Sequence, residues 1–108
     1  MDAVDYYNSG IRKFASQDFC GAVSDFTSAM YGDKSTAPDA KELEILTYLN
    51  RGIAYHNQTI GGYKYSNETL MLISSAIDDL EQVLKLDSNP ERRTTAQSLI
   101  EELKRNRE

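Results

Sequence analysis

Two sequence blocks recur in the same order along this chain, and this duplication constrains the fold more than any other feature. The pattern Tyr-x-Asn-x-Gly-Ile begins at Tyr6 and recurs 42 positions later at Tyr48. A second pattern, in which Asp stands three places after an Ala and precedes an apolar residue, begins at Ala22 and recurs 54 positions later at Ala76. The two displacements differ by 12, so the second copy carries 12 additional residues between its blocks. Such a duplication indicates a repeat architecture, in which each unit buries its apolar face against a neighbour.

Apolar residues recur with helical spacing and predict five α-helices, so the expected fold class is all-α. Only Ser16 and Gln17 separate the first two helices, a connection that suits an antiparallel helical hairpin. Asp18, Asp39 and Asn89 are each placed to cap the N-terminus of a helix. The apolar stripes, in chain order, are Val4, Tyr7, Ile11 and Phe14; Phe19, Val23, Phe26 and Met30; Leu46, Leu49, Ile53 and Ile60; Leu70, Ile73, Ile77, Leu80 and Leu84; and Ala96, Leu99, Ile100 and Leu103.

The additional residues of the second copy are expected to lengthen its two helices by about six residues each, which adds roughly 9 Å to the hairpin. The alternative is a flexible loop around Gly61 and Gly62, a glycine pair that ends the third helix. We predict a single domain over residues 1–108. Its parts are repeat one at about 3–36, repeat two at about 40–88 with the insertion near 57–68, and a capping helix at about 90–106.

A helical hairpin with Gly in its first helix and Ala-x-x-x-aromatic in its second resembles the tetratricopeptide repeat (TPR) over most of this chain. The matching positions are Gly10, Ala22 and Phe26 in the first copy, with Tyr6 where Trp is usual, and Tyr48, Gly52, Tyr55, Ala76 and Leu80 in the second. The departures are Ser9, Lys13 and Lys34 in the first copy, and Arg51 in place of Leu, together with the insertion, in the second. The resemblance implies a TPR-like right-handed stack of two antiparallel helical hairpins plus a capping helix.

In TPR proteins the first helix of each repeat lines a concave groove that binds peptides or partner helices. The resemblance therefore implies a non-enzymatic protein–protein interaction module, an adaptor or scaffold. Because a carboxamide both donates and accepts hydrogen bonds, Asn8 and Asn50 suit the main chain of a bound peptide; alternatively, each satisfies a local helix carbonyl or a water. The residues at groove positions are Tyr7, Asn8, Ile11, Phe14, Leu49, Asn50, Ile53 and His56.

Two other functions stay open at this point. Repeat arrays usually need about three units, so a chain with two exposes a stacking end that a homodimer or larger assembly would cover. The second alternative is a co-chaperone that grips the acidic C-terminal tails of heat-shock chaperones. Asn50 matches that clamp, but Tyr7 and Ile11 stand where Lys and Asn are needed, and an acidic groove repels an acidic tail.

Composition narrows the class of partner and the compartment. A net charge of −5 and a pI near 4.8 argue against a nucleic-acid binder and favour a neutral or basic protein partner. No run approaches the roughly 18 apolar residues of a membrane span. The single cysteine and an acidic start without the order of a signal peptide predict a cytoplasmic protein.

The chemistry-bearing residues are sparse, so we expect no enzyme, metal or cofactor. No motif places a nucleophile beside His56, the only histidine. Cys20 begins a helix, where a thiolate is favoured, but we expect it to be a small packing residue. The adjacent pairs Asp78–Asp79 and Glu101–Glu102 point to different helix faces and are expected to be surface charges.

Overall fold

The computed structural model of the chain describes residues 1–60 and 67–107. Within these ranges the chain forms five α-helices and no β-strand, which confirms the predicted all-α class. The helices are α1 (Ala3–Ala15), α2 (Phe19–Tyr31), α3 (Ala40–Thr59), α4 (Asn67–Leu86) and α5 (Pro90–Arg107). Part of the predicted insertion, together with Gly61 and Gly62, lies outside the described residues.

The helix starts follow the predicted capping residues. Asp18, Asp39 and Asn89 each accept a hydrogen bond, at 2.9 to 3.0 Å, from a backbone N–H in the first turn of the helix that follows. Asp2 caps α1 in the same way, and Asp5 returns a bond to the backbone N–H of Asp2 in a reciprocal capping box. Four of the five helices therefore begin where a side-chain oxygen satisfies backbone donors that would otherwise lack a partner.

The second hairpin is longer than the first because both of its helices are longer. The helices α1 and α2 have 13 residues each, whereas α3 and α4 have 20 residues each. Counted from the duplicated blocks, α3 runs seven residues past Gly52 where α1 runs five past Gly10, and α4 begins nine residues before Ala76 where α2 begins three before Ala22. Of the 12 additional residues, six therefore lengthen the start of α4 and only two lengthen the end of α3, so the expected gain of about six residues is correct for α4 and wrong for α3.

Consecutive helices are antiparallel. Gly10 of α1 faces the Phe26 ring of α2, and Gly52 of α3 faces Leu80 of α4. The C-terminal end of α3 lies beside the start of α2, because the Gln58 amide is 3.0 Å from the sulfur of Cys20. The four helices therefore form two antiparallel hairpins that pack through α2 and α3.

The odd-numbered helices run parallel to one another. Near the starts of α3 and α5, Arg92 forms an ion pair with Glu42 at 2.6 Å. Near their ends, His56 Nε2 lies 3.5 Å from Glu102 Oε1. Further contacts join α1 to α3, so α1, α3 and α5 lie side by side.

The core consists of two clusters of unequal size. The smaller cluster comprises Ala22 and Phe26 of α2 and Ala54 of α3, with Tyr7 and Phe14 of α1 packed against it. The larger cluster joins α3, α4 and α5 and comprises Ile45, Leu49, Ile73, Ala76, Ile77, Leu80, Val83, Ala96, Ile100 and Leu103. The fifth helix thus shares the core of the second hairpin.

Candidate partner-binding face

The parallel helices α1, α3 and α5 present a row of partly exposed apolar side chains, which we call the odd-helix face. Ile11 and Ile53 each follow the glycine that faces the paired helix, so each side chain lies about 100° around its helix from that contact. Ile11 is 37% exposed, and Ile53 and Leu99 are half-buried against the larger core cluster. We define the odd-helix face as Ile11, Leu46, Ile53 and Leu99, with the polar residues Asn8, Asn50, His56 and Glu102.

Tyr7 and Asn50, two of the predicted site residues, are brought into contact. Asn50 Nδ2 donates one hydrogen bond to Tyr7 Oη at 3.0 Å and another to the carbonyl oxygen of Leu46 at 2.9 Å. Both amide hydrogens of Asn50 are therefore used within the chain. Burial raises the pKa of Tyr7, and the bond from Asn50 opposes that rise. The pair joins α1 to α3.

Asn8 occupies the equivalent place in the first repeat but has a different environment. Its side chain is exposed and lies about 200° around α1 from Gly10, which faces α2. Because the two asparagines differ in this way, only Asn8 keeps both the donor and the acceptor that a peptide main chain requires.

The other predicted site residues divide between surface and core. Phe14 is half-buried and packs edge-on against Phe19, with ring centroids 5.3 Å apart. Leu49 is only 9% exposed and belongs to the larger core cluster. The side chain of His56 is 13% exposed and faces α5. Asn8 and Ile11 are thus the exposed residues of the predicted set, and Ile53 is half-buried.

Charged residues of α5 complete the face, and the sequence reasoning did not place them there. The guanidinium of Arg92 binds Asp87 through Nε at 2.5 Å and Glu42 through Nη1 at 2.6 Å. That contact holds the pKa of the Asp87 carboxyl below its usual value. At the other end, Glu102 is 48% exposed beside His56. Treating α5 as the first helix of an incomplete third unit would have placed it next to α3.

Asp79 corrects the expectation that Asp78 and Asp79 are both surface charges. Asp78 is exposed, but Asp79 is 4% exposed and accepts two hydrogen bonds from Arg51, at 2.7 and 2.8 Å. Arg51 also donates to Thr27 of α2 at 3.2 Å, so one guanidinium links α2, α3 and α4. Burial raises the pKa of Asp79, and the Arg51 guanidinium opposes that rise. The sequence feature that could have indicated a buried partner for Asp79 is Arg51, because it is a charged residue at a position where the repeat pattern has Leu.

Cys20 corrects a second expectation, because it is exposed and not a packing residue. It lies near the start of α2, and the Gln58 amide of α3 contacts its sulfur. The second hairpin is long enough to bring the end of α3 to this point.

Comparison with known proteins assigns neither a family nor a function to this chain. No protein-family model matches the sequence, and no curated protein and no solved structure matches it either. No helix within residues 1–60 and 67–107 is long and apolar enough to cross a bilayer. Over the same part of the chain, no three His, Cys, Asp or Glu side chains are grouped to hold a metal ion.

Proposed function

We propose that this chain is a TPR-like module, a right-handed stack of two helical hairpins and a capping helix, that binds a partner protein on the odd-helix face. One observation carries the proposal. The parallel helices α1, α3 and α5 leave Ile11, Ile53 and Leu99 partly uncovered in a row, and Asn8 beside them retains free donors and an acceptor. Apolar anchors next to main-chain hydrogen-bonding groups are what a docked peptide or helix requires.

The proposed role is non-enzymatic. Within the part of the chain that the structure describes, His56 pairs with the carboxylate of Glu102, and no contact places a hydroxyl or thiol at its ring nitrogens for activation. A cytoplasmic location remains a prediction from the sequence.

Neither alternative function gains support from the described residues. Self-association through a stacking end requires an apolar end surface, whereas the exposed residues of the two terminal helices include Asp5 and Arg12 on α1 and Gln97 and Glu101 on α5. A clamp for acidic tails requires free cations, whereas Arg92 is already bound to two carboxylates. We therefore retain partner binding as the proposed function.

Selection from a random displayed peptide library tests this function. Peptides selected on the native protein are expected to lose binding to Ile11→Asp, because a buried carboxylate in the interface is costly. The matched control is Met71→Asp, which alters a 70% exposed apolar residue on α4, away from the odd-helix face. Equal binding to all three proteins, with unchanged circular dichroism, would place the binding surface elsewhere.

A further inference from the structure

We infer that Asn50 is a positioning residue of the odd-helix face and not a contact for the ligand. Through its hydrogen bond to Tyr7 it fixes how far α1 lies from α3, and therefore how far Ile11 lies from Ile53. This inference rests on the proposed function, because it assigns a role to one residue of the proposed binding surface. Its basis is the hydrogen bonding of Asn50 and the way in which the two hairpins are joined.

The orientation of the Asn50 amide follows from its two partners. Its Nδ2 lies 2.9 Å from the carbonyl oxygen of Leu46, which can only accept a hydrogen bond, so the nitrogen and not the oxygen faces that carbonyl. The same nitrogen lies 3.0 Å from Tyr7 Oη and donates its second hydrogen there. A rotation of the amide that turned this nitrogen towards a ligand would therefore break both bonds.

The Tyr7 side chain is held in place by packing. Its ring is half-buried, and its centroid lies 5.8 Å from that of the Phe26 ring on α2. The ring belongs to the residues packed against the smaller core cluster, so the position of the hydroxyl is set by the first hairpin. A hydrogen bond between two side chains that are each fixed on their own hairpin constrains the distance between the helices that carry them.

The Tyr7–Asn50 bond lies at the thinner of the two interfaces between the hairpins. Along the other interface, α2 packs against α3, and Phe26 and Ala54 share a core cluster there. The helices α1 and α3 touch at fewer places, and within residues 1–60 and 67–107 this bond is the only hydrogen bond between them. The bond therefore limits rotation of the first hairpin about the α2–α3 interface.

The same bond lies one helical turn from two apolar residues of the odd-helix face. Ile11 follows Tyr7 by four residues on α1, and Ile53 follows Asn50 by three residues on α3. Residues with these spacings are neighbours on one side of a helix, so a change in helix separation at the bond also changes the separation of the two isoleucines. A ligand that contacts both isoleucines binds more tightly when their spacing is fixed before it arrives, because preorganisation lowers the cost of binding.

The first measurement is a distance within the full chain and needs no ligand. Spin labels are attached at Arg12→Cys on α1 and Ser98→Cys on α5, in a Cys20→Ser background that removes the exposed thiol. Because α5 shares the core of the second hairpin, this pair of labels reports the position of α1 relative to that hairpin. Tyr7→Phe removes only the acceptor of the bond and is expected to give a longer mean distance and a broader distribution.

Tyr6→Phe is the matched control for this measurement. It removes the same hydroxyl from the preceding residue, which lies about 100° around α1 from Tyr7. The distance distribution is expected to be the same as that of the labelled parent. Circular dichroism is expected to be unchanged in both variants, since neither alters a helix backbone.

The second measurement is the affinity of a peptide selected on the native protein. Because Asn50 acts through Tyr7, Asn50→Ala and Tyr7→Phe are each expected to weaken binding about fivefold, the usual worth of one hydrogen bond. The double variant is expected to lose no more than either single variant, whereas two independent contacts with the ligand would multiply to about 25-fold. A direct bond from Asn50 to the ligand would survive Tyr7→Phe, which leaves the amide in place.

The outcomes separate this inference from the proposed function. A label distance that Tyr7→Phe leaves unchanged, binding that withstands Tyr7→Phe but not Asn50→Ala, or losses that multiply in the double variant would each overturn the inference alone. A library that yields no peptide dependent on Ile11 would overturn the proposed function and the role of Asn50 in binding with it.

Discussion

The first hairpin, α1 and α2, packs two 13-residue helices around Phe26, whereas the second, α3 and α4, packs two 20-residue helices and continues its core into α5. Among the described residues, Phe26 is the one large buried side chain of the smaller cluster, and Ala54 of that cluster comes from α3. The two copies of one motif are therefore stabilised differently. The first depends on the second for part of its core, while the second shares its core with α5.

The added helix length also changes what the second hairpin can contact. The end of α3 reaches Cys20 at the start of α2 and Glu102 near the end of α5. A third helix with the length of α1, aligned on Gly52, would run over 45–57, so it would still include His56 but would end one residue before Gln58. The two residues added at the end of α3 thus extend the surface on which the first hairpin packs.

Removing the Phe26 ring is expected to have the largest effect and to act unevenly on the two hairpins. Phe26→Ala creates a cavity in a cluster that has no other large buried side chain, and such changes cost about 3–5 kcal/mol of unfolding free energy. Hydrogen exchange is expected to accelerate most in α1 and α2. Leu80→Ala, a truncation in the larger cluster, is the control and is expected to accelerate exchange in α3, α4 and α5. The same exchange pattern in both variants would show that the hairpins unfold as one unit.

Breaking the Arg51–Asp79 pair tests the junction between the hairpins. Arg51→Met leaves the Asp79 carboxylate buried without its partner, which is expected to cost about 3–5 kcal/mol in urea unfolding. Replacing both residues, Arg51→Met with Asp79→Leu, is expected to recover most of that loss because no buried charge remains. Asp78→Asn, on the exposed neighbour, is the matched control. A loss in Arg51→Met as small as in Asp78→Asn would show that the pair does not stabilise the junction.

The equivalent glycines are expected to tolerate alanine to different degrees. A Cβ at Gly10 would lie 2.6 Å from Cε1 of the Phe26 ring, whereas a Cβ at Gly52 would lie 3.0 Å from Cγ of Leu80. Alanine favours a helix over glycine by about 1 kcal/mol, and overpacking costs about 1–3 kcal/mol. Thermal unfolding is therefore expected to show a clear loss for Gly10→Ala and a change near zero for Gly52→Ala. The reverse order would mean that the first hairpin is the more adaptable one.

The smallest expected effect concerns acid stability. Arg92 holds the pKa of Asp87 below its usual value, so as the pH falls the unfolded chain binds the proton first. The stability from this carboxylate is complete above that usual value and is lost as the pH falls through the folded pKa. Asp87→Asn is thus expected to lower stability at neutral pH and to reduce its further loss in acid, as measured by urea unfolding.

Asp2 in the first hairpin provides the control for this measurement. Its pKa is also lowered, first by the hydrogen bond from Thr36, but Asp2→Asn keeps a side chain that caps a helix equally well. The variant is expected to alter neutral stability less than Asp87→Asn. A larger change in Asp2→Asn would place the more important acidic contact in the first hairpin.

Local features of the chain were predictable because their causes are local. Helix number and the capping by Asp18 and Asp39 follow from apolar spacing and side-chain oxygens. The count of added residues indicated a longer second hairpin but not that α4 receives six of them and the end of α3 only two. The environments of Asp79 and Cys20 were mispredicted, because each is decided by a residue distant in the sequence, Arg51 for the first and Gln58 for the second. The spacing of residues along one helix predicts which side chains lie on the same face of that helix. It does not predict which other residues pack against that face.

The sequence by itself determined the duplicated helical hairpins, their caps and the apolar stripes, since these depend on contacts within a few residues or on a repeated pattern. Three outcomes were decided by the tertiary structure alone. Asn50 donates a hydrogen bond to Tyr7, and Arg51 forms an ion pair with the buried Asp79. Glu102 is exposed beside His56. These outcomes depend on how α1, α3 and α5 align with one another and with α4. That alignment is set by close packing across the whole core, where each side chain's position depends on neighbours far away in the sequence.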